Sequence, residues 1–147
     1  MNKKNILVLS ILAVSLTILI FQSFSAKQTA EPWNEKQLIS TSTLAEAIKN
    51  NEKVYIYNIG PAGLIKNAIE IGDGKEKSNI EKLKTEISGL DKNSPIVVYC
   101  GCCPFKDCPN IRPAFELLNS MNFTNHKLLN IPKNLKVDWI DKGYPMN

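Results

Sequence analysis

Four of the 147 residues in this chain are cysteines, and all four lie in one nine-residue segment, at Cys100, Cys102, Cys103 and Cys108. A cysteine thiolate can act as a nucleophile, a disulfide partner or a ligand for a soft metal ion. The segment also holds a glycine, a proline and charged residues, which are hard to bury, so we expect Cys102, Cys103 and Cys108 to be accessible to solvent. The sequence therefore predicts that the chemistry of the protein takes place in this segment.

The elements on either side of the segment give Cys100 a distinct position. The apolar, β-branched residues 96–98 predict a strand buried on both faces, and Pro113 suits the first turn of the helix that follows. Cys100 is thus expected at the carboxyl end of a parallel strand, which is the edge where open α/β sheets bind ligands. Backbone amides and the positive end of a helix dipole stabilise a thiolate, so we expect Cys100 to be an acidic nucleophile.

The rest of the chain alternates between strand and helix patterns. Four strands are predicted from apolar and β-branched runs, at residues 54–59, 68–71, 96–100 and 127–130. Four helices are predicted around them, at residues 43–50, 78–87, 113–121 and 135–141, the first two opened by capping boxes that begin at Thr43 and Ser78. This alternation with short connections implies an α/β fold in which helices cover both faces of a parallel sheet.

The N-terminal segment predicts export. Lys3 and Lys4 precede an apolar stretch at residues 6–21, and small residues follow it up to Ala26, which is the layout of a secretory signal peptide. Without cleavage, the same stretch would anchor the chain in a membrane. We therefore expect the protein in the periplasm or cell envelope, where the oxidising surroundings favour pairing of nearby thiols.

Three parts of the chain are expected: a signal peptide at residues 1–26, a tether at 27–32 and one domain at 33–147. Removal of the signal takes away two lysines and no acidic residue, which lowers the net charge from +4 to +2. A charge so close to neutral disfavours nucleic acid as a partner, and membrane contact is expected only through an uncleaved N-terminal segment.

Several segments resemble the rhodanese-like domains, in the order in which that family has them. They are the strand at 54–58, the stretch from Gly63 to Ile69, the strand at 97–100 and the C-terminal run from Asp138 to Pro145. The resemblance implies the three-layer fold of that family, with a central parallel sheet of about five strands and helices on both faces. In this chain an N-terminal signal helix would precede that fold.

The resemblance also implies a sulfurtransferase that uses a thiosulfate or persulfide donor. In that family a cysteine, cradled by the amides of its loop, accepts a sulfane sulfur as a persulfide and passes it to a thiophilic acceptor. By position, Cys100 is that residue. The supporting loop residues would be Gly101, Cys102, Cys103, Lys106, Cys108 and Arg112, with either basic residue favouring the anionic sulfur. No cofactor is implied, and the implied partners are a small-molecule or protein sulfur donor, a thiol acceptor and a thiol reductant.

The chain departs from the usual family pattern in two places. Asn-Ile-Gly at 58–60 stands where the family usually has Asp-x-Arg, and the loop that follows Cys100 is about twice the usual length. Related phosphatases hold phosphate with an arginine six positions after the cysteine, whereas Arg112 is twelve positions away. Lys106 occupies the sixth position, but a lysine cannot grip an oxyanion through two parallel hydrogen bonds. Phosphate chemistry is therefore disfavoured.

Two other functions remain open on the cysteines alone. In a thiol-disulfide redox protein, Cys100 would pair with a resolving cysteine of the loop, and the adjacent Cys102 and Cys103 are the pair least suited to disulfide geometry. In a metal-binding module, all four cysteines would bind zinc or copper(I), although the spacing lacks the two separated Cys-x-x-Cys pairs of ordinary zinc modules. The resemblance favours sulfur transfer, for which no metal is expected.

The remaining candidate residues have structural interpretations. His126 is the only histidine; it precedes a predicted strand and is expected on the surface rather than as a base. Trp33 and Trp139 are expected to be packing residues rather than a binding platform.

Overall fold

A computed structural model describes residues 31–147 of the chain. The predicted signal peptide, the signal helix and the first part of the tether lie outside the described residues. None of the helices within the described range is long and apolar enough to cross a membrane.

Five strands form one sheet in the described part of the chain, and every neighbouring pair is parallel. Their order across the sheet is β1-β5-β4-β2-β3, which places β4 at the centre. The strands are β1 Leu38–Ser40, β2 Tyr55–Asn58, β3 Ala68–Glu70, β4 Ile96–Tyr99 and β5 His126–Asn130. The predicted parallel α/β sheet is confirmed. The sequence patterns identify four of its strands and miss β1, since three residues are too few to show an alternation.

Four α-helices connect or follow the strands: α1 Thr41–Lys49, α2 Lys77–Ile87, α3 Ile111–Ser120 and α4 Leu135–Asp138. Both predicted capping boxes are wrong. Helix α1 begins earlier because the Ser40 side chain accepts a hydrogen bond from the Thr43 backbone N–H. Helix α2 follows Glu76, whose side chain makes no capping bond. Helix α4 ends sooner than predicted, and a 3₁₀ turn at Ile140–Lys142 completes that segment.

The helices lie on both faces of the sheet, which gives the three layers that the sequence predicts. One core contains α2 and α3 residues such as Leu83 and Phe115, and the other contains α1 and α4 residues such as Leu44 and Leu135. Successive residues of β4 alternate between these cores, since side chains of a strand point to opposite faces in turn. This alternation sends the side chain of Cys100 to the α2 and α3 side.

The aromatic and histidine predictions have different outcomes. Trp33 and Trp139 are both buried in the cores, as predicted. The surface position predicted for His126 is wrong, because the residue begins β5 and is only 3% exposed. Its Nε2 lies 3.1 Å from the side-chain nitrogen of Gln37, and its ring packs against Phe115. Desolvation by burial lowers the pKa of His126.

Candidate functional site

Cys100 follows the last residue of β4, at the carboxyl edge of the central strand. The next residue, Gly101, has φ +78°, a left-handed conformation that glycine adopts without strain. The Gly101 carbonyl oxygen accepts a hydrogen bond of 2.8 Å from the Leu135 backbone N–H. The chain therefore turns sharply after Cys100 and is fixed to the start of α4, which holds the thiol in one place.

Gly60, in the turn after β2, lies directly against the sulfur of Cys100. A Cβ atom at residue 60 would overlap Cys100 Sγ and would lie 3.1 Å from its Cα. Only glycine therefore fits here without displacing the thiol. Gly60 belongs to the segment that departs from the family pattern, but residue spacing alone does not predict its contact with Cys100.

The turn that contains Gly60 is held by Asn58, the last residue of β2. Its amide nitrogen donates to the Ala62 carbonyl oxygen at 2.8 Å, and its Oδ1 accepts from the Gly60 backbone N–H at 3.2 Å. Asn58 is fully buried, so these bonds satisfy both ends of an amide that water does not reach. In this chain Asn58 therefore shapes the turn where the rhodanese-like pattern usually has an aspartate.

Asn110 is a site residue that the sequence analysis missed. Its side-chain amide nitrogen donates to Cys100 Sγ at 3.4 Å, and its Oδ1 accepts from the Lys75 backbone N–H at 3.1 Å. A Cβ at Gly74 would overlap the Asn110 carbonyl oxygen, so the turn after β3 packs closely on this residue. The available sequence signal was its position between the carboxyl end of β4 and the start of α3, at the sheet edge where ligands bind in this class of fold.

The four cysteines differ in their exposure. Cys100 and Cys108 are both only 1% exposed, whereas Cys102 is exposed and Cys103 is half-buried. The prediction that Cys108 is accessible is therefore wrong. The short 3₁₀ turn Phe105–Asp107 folds the loop inward, and Phe105 is buried in the same core as Cys108.

The sulfur atoms form a short chain from the interior to the surface. Cys102 Sγ lies 3.2 Å from Cys100 Sγ and 3.4 Å from Cys103 Sγ. The Sγ atoms of Cys100, Cys102 and Cys108 all lie within 4.8 Å of one another. Three thiolates at this separation could hold one soft metal ion, while Cys103 is outside that group of three.

The groups around the clustered sulfurs lower the pKa of Cys100 and raise the pKa values of Cys102 and Cys108. Hydrogen bonding by the Cys108 thiol does most to lower the pKa of Cys100, burial opposes it, and Asn110 and Cys102 lower it further, to about 5. Desolvation, followed by the adjacent Cys100 and Cys103, raises the pKa of Cys102 to about 12. The pKa of Cys108 is also raised, chiefly by its hydrogen bond to Cys100. One thiolate supported by thiol and amide donors is therefore the favoured charge state, and it lies on Cys100.

The two basic residues expected to support the site, Lys106 in the loop and Arg112 in α3, make different contacts. The Arg112 guanidinium pairs with both carboxylate oxygens of Glu31, at 2.8 and 2.9 Å, and lies over the Trp33 ring. It also donates weakly to the Lys106 carbonyl oxygen, at 3.5 Å. Lys106 itself is exposed. The side-chain contacts of Arg112 are thus with the N-terminal edge of the domain, and the side chains that hydrogen-bond with Cys100 Sγ are those of Asn110 and Cys102.

This arrangement suits nucleophilic chemistry at sulfur. Cys100 is fixed by the central strand and is stabilised as a thiolate, and further thiols are within reach of a sulfur atom bound to it. General-base assistance is not required for a thiol of such low pKa.

Comparisons with known proteins bear on the fold. A crystal structure of a protein from Lactobacillus plantarum, solved as a structural genomics target, superposes with a TM-score of 0.55 at 21% sequence identity. The match covers 76% of this chain and 88% of that one. No family model and no curated protein matches the sequence. A likeness at this identity supports the α/β fold and carries no activity with it.

Proposed function

We propose that this protein is a rhodanese-like sulfurtransferase or persulfide carrier of the cell envelope, with Cys100 as the nucleophile. One observation carries the proposal: the Cys100 sulfur ends the central parallel strand, accepts a hydrogen bond from the Asn110 amide, and lies within 4.8 Å of the Cys102 and Cys108 sulfurs. The edge formed by the carboxyl ends of the strands is where ligands bind in this class of fold. A fixed, acidic thiol is what attack on a sulfane sulfur needs.

The reaction would proceed in two displacements at sulfur. The Cys100 thiolate attacks the outer sulfur of thiosulfate, a sulfur–sulfur bond forms to Cys100, and the bond to the departing group breaks to release sulfite. The negatively charged persulfide then gives its outer sulfur to an acceptor such as cyanide, which leaves as thiocyanate and restores the thiolate. The donors that stabilise the thiolate would also stabilise the persulfide anion.

The resemblance in sequence and the three-layer α/β architecture support this proposal together. The absence of the family's Asp-x-Arg pattern at 58–60, in the turn that lies against Cys100, leads us to propose a donor different from that of a typical member. We accordingly treat thiosulfate as a probe of the chemistry, and the physiological donor as a persulfide or related sulfane compound.

A test compares Cys100→Ser with Cys103→Ser, two substitutions of the same kind in the same loop. Both purified variants and the wild type are offered thiosulfate and then cyanide, and thiocyanate and the mass of the loaded protein are measured. Cys100→Ser should take up no sulfur and form no thiocyanate, whereas Cys103→Ser should keep most of both. An active Cys100→Ser variant would place the nucleophile in the loop and refute the proposal.

A second candidate is thiol-disulfide exchange, which the 3.2 Å separation of the Cys100 and Cys102 sulfurs favours. In that case oxidation would join these two cysteines and the protein would act on disulfides of other proteins. Mass spectrometry distinguishes the two functions, because a disulfide removes two hydrogen atoms and a persulfide adds one sulfur atom. Catalysed reduction of a protein disulfide without uptake of sulfur would favour this second function.

A further inference from the structure

Burial separates Cys100, the proposed nucleophile, from the solvent. Cys100 is only 1% exposed, so its sulfur offers almost no surface to a large acceptor such as a protein thiol. Cys102 is exposed, and its sulfur is 3.2 Å from that of Cys100. Any sulfur atom attached to Cys100 therefore has an exposed thiol next to it.

The other two cysteines fit this position less well. Cys108 is as buried as Cys100 and leads no closer to solvent. The sulfur of Cys103 contacts that of Cys102, at 3.4 Å. Among the four thiols of this cluster, Cys102 alone combines exposure with contact to the buried nucleophile.

We propose that Cys102 is a second catalytic residue, which takes the sulfane sulfur from Cys100 and presents it to large thiol acceptors at the surface. This inference rests on the sulfurtransferase function proposed above and identifies the acceptor class as thiols too large to reach Cys100. Small nucleophiles such as cyanide remain able to take sulfur from either cysteine.

The transfer balances without an oxidant or reductant. Cys102 begins as a thiol and Cys100 as a persulfide anion. The Cys102 thiol first gives its proton to the outer sulfur of the persulfide, because only a thiolate attacks sulfur. The Cys102 thiolate then bonds to that sulfur, and the bond from that sulfur to Cys100 breaks. Cys102 then carries a protonated persulfide and Cys100 is a thiolate again. An external thiolate takes the outer sulfur from Cys102 in the same manner.

The geometry accommodates this exchange with a small movement. Two sulfur–sulfur bonds of about 2.05 Å each would separate the Cys100 and Cys102 sulfurs by about 4.1 Å if the three atoms lie in line. The thiols are 3.2 Å apart without the transferred atom, so Cys102 must move back by about 1 Å. An exposed loop residue can make that movement, whereas Cys100 is held by the central strand.

The unequal acidities support this direction of transfer. The low pKa of Cys100 makes its thiolate a good leaving group, since thiolates of lower pKa depart faster in exchange at sulfur. Because the pKa of Cys102 is raised, its thiolate is the poorer leaving group, and the transferred sulfur returns to Cys100 more slowly than it arrives.

The test compares small and large acceptors. Wild type, Cys102→Ser and the matched control Cys103→Ser are loaded from thiosulfate, and loading is measured by mass. Each protein is then given either cyanide or thiol groups fixed to agarose beads, which cannot enter the site. Cys102→Ser should lose transfer to the beads at least about tenfold more than it loses loading or transfer to cyanide, which it affects only through the lost hydrogen bond to the Cys100 sulfur. Cys103→Ser should keep most of its transfer to both acceptors.

Transfer from Cys102→Ser to the beads at the wild-type rate would overturn the proposal. So would a Cys102→Ser variant that fails to load, because Cys102 would then act before Cys100. Alkylation of the loaded wild type followed by peptide fragmentation gives a second measurement, in which sulfane sulfur should be found on both Cys100 and Cys102; sulfur on Cys100 alone contradicts the relay. A wild type that takes up sulfur neither from thiosulfate nor from a small-molecule persulfide instead refutes the sulfurtransferase function itself.

Discussion

The acidity of Cys100 depends on its neighbours, and replacing Cys108 by alanine tests this dependence directly. The Cys108 thiol is the largest cause of the low pKa of Cys100, which is about 5. A hydrogen bond to a charged group contributes about 1.5–3 kcal/mol, and one pH unit of pKa corresponds to about 1.4 kcal/mol. We therefore expect Cys108→Ala to raise the pKa of Cys100 to about 6 or 7.

The measurement is the rate of iodoacetamide alkylation at Cys100 as a function of pH, followed by peptide mass spectrometry. In Cys108→Ala the midpoint of that profile should rise to the new pKa of Cys100. The alkylation rate at the high-pH plateau should rise about two- to tenfold, because a thiolate of higher pKa is intrinsically more nucleophilic. A rate at one pH would mislead, since the smaller thiolate fraction and the greater nucleophilicity nearly cancel near pH 6.

Cys103→Ala is the matched control for this experiment, because the Cys103 sulfur contacts Cys102 rather than Cys100. It should leave the midpoint close to that of the wild type, and thermal unfolding of both variants checks that they are folded. A midpoint that stays near 5 in Cys108→Ala would show that Cys108 does not stabilise the thiolate. The hydrogen-bond account of the site would then be wrong.

Three further predictions concern packing, metal and export. Gly60→Ala should lower the free energy of unfolding by about 1–3 kcal/mol in urea titrations, because its methyl group would overlap the Cys100 sulfur. Gly89→Ala is the control, since nothing lies within 4 Å of the added carbon, and it should change the free energy of unfolding by less than about 0.5 kcal/mol. Equal effects of the two substitutions would contradict the close contact between Gly60 and the Cys100 sulfur. Treatment with a metal chelator should leave the melting temperature and sulfur transfer unchanged, whereas unfolding would indicate a structural metal held by the thiols. The mature protein from the cell envelope should begin near Ala26 or Lys27 in Edman sequencing, and a start at Met1 would indicate an uncleaved anchor.

The sequence patterns predicted the sheet more reliably than the helix ends. The strands β2 and β4 are apolar and β-branched enough to be recognised without knowledge of their neighbours. The start of α1 was misplaced because Ser40 and Thr43 are equally plausible caps in sequence, and the choice between them depends on where β1 leaves the sheet. His126 was misplaced for a similar reason, since only the packing of Gln37 and Phe115 around its ring makes burial favourable.

The sequence by itself determined that the four thiols share one loop, that a buried strand precedes Cys100 and that strands and helices alternate. These are local properties, because hydrophobic periodicity and residue spacing act over a few positions. Only the tertiary structure decided which groups surround the sulfur. Gly60 follows β2, whereas Cys108 and Asn110 lie in the loop between β4 and α3. These two segments meet because the carboxyl ends of parallel strands share one edge of the sheet. The burial of Cys108, and with it the acidity of Cys100, arises from that long-range packing, which no local pattern encodes.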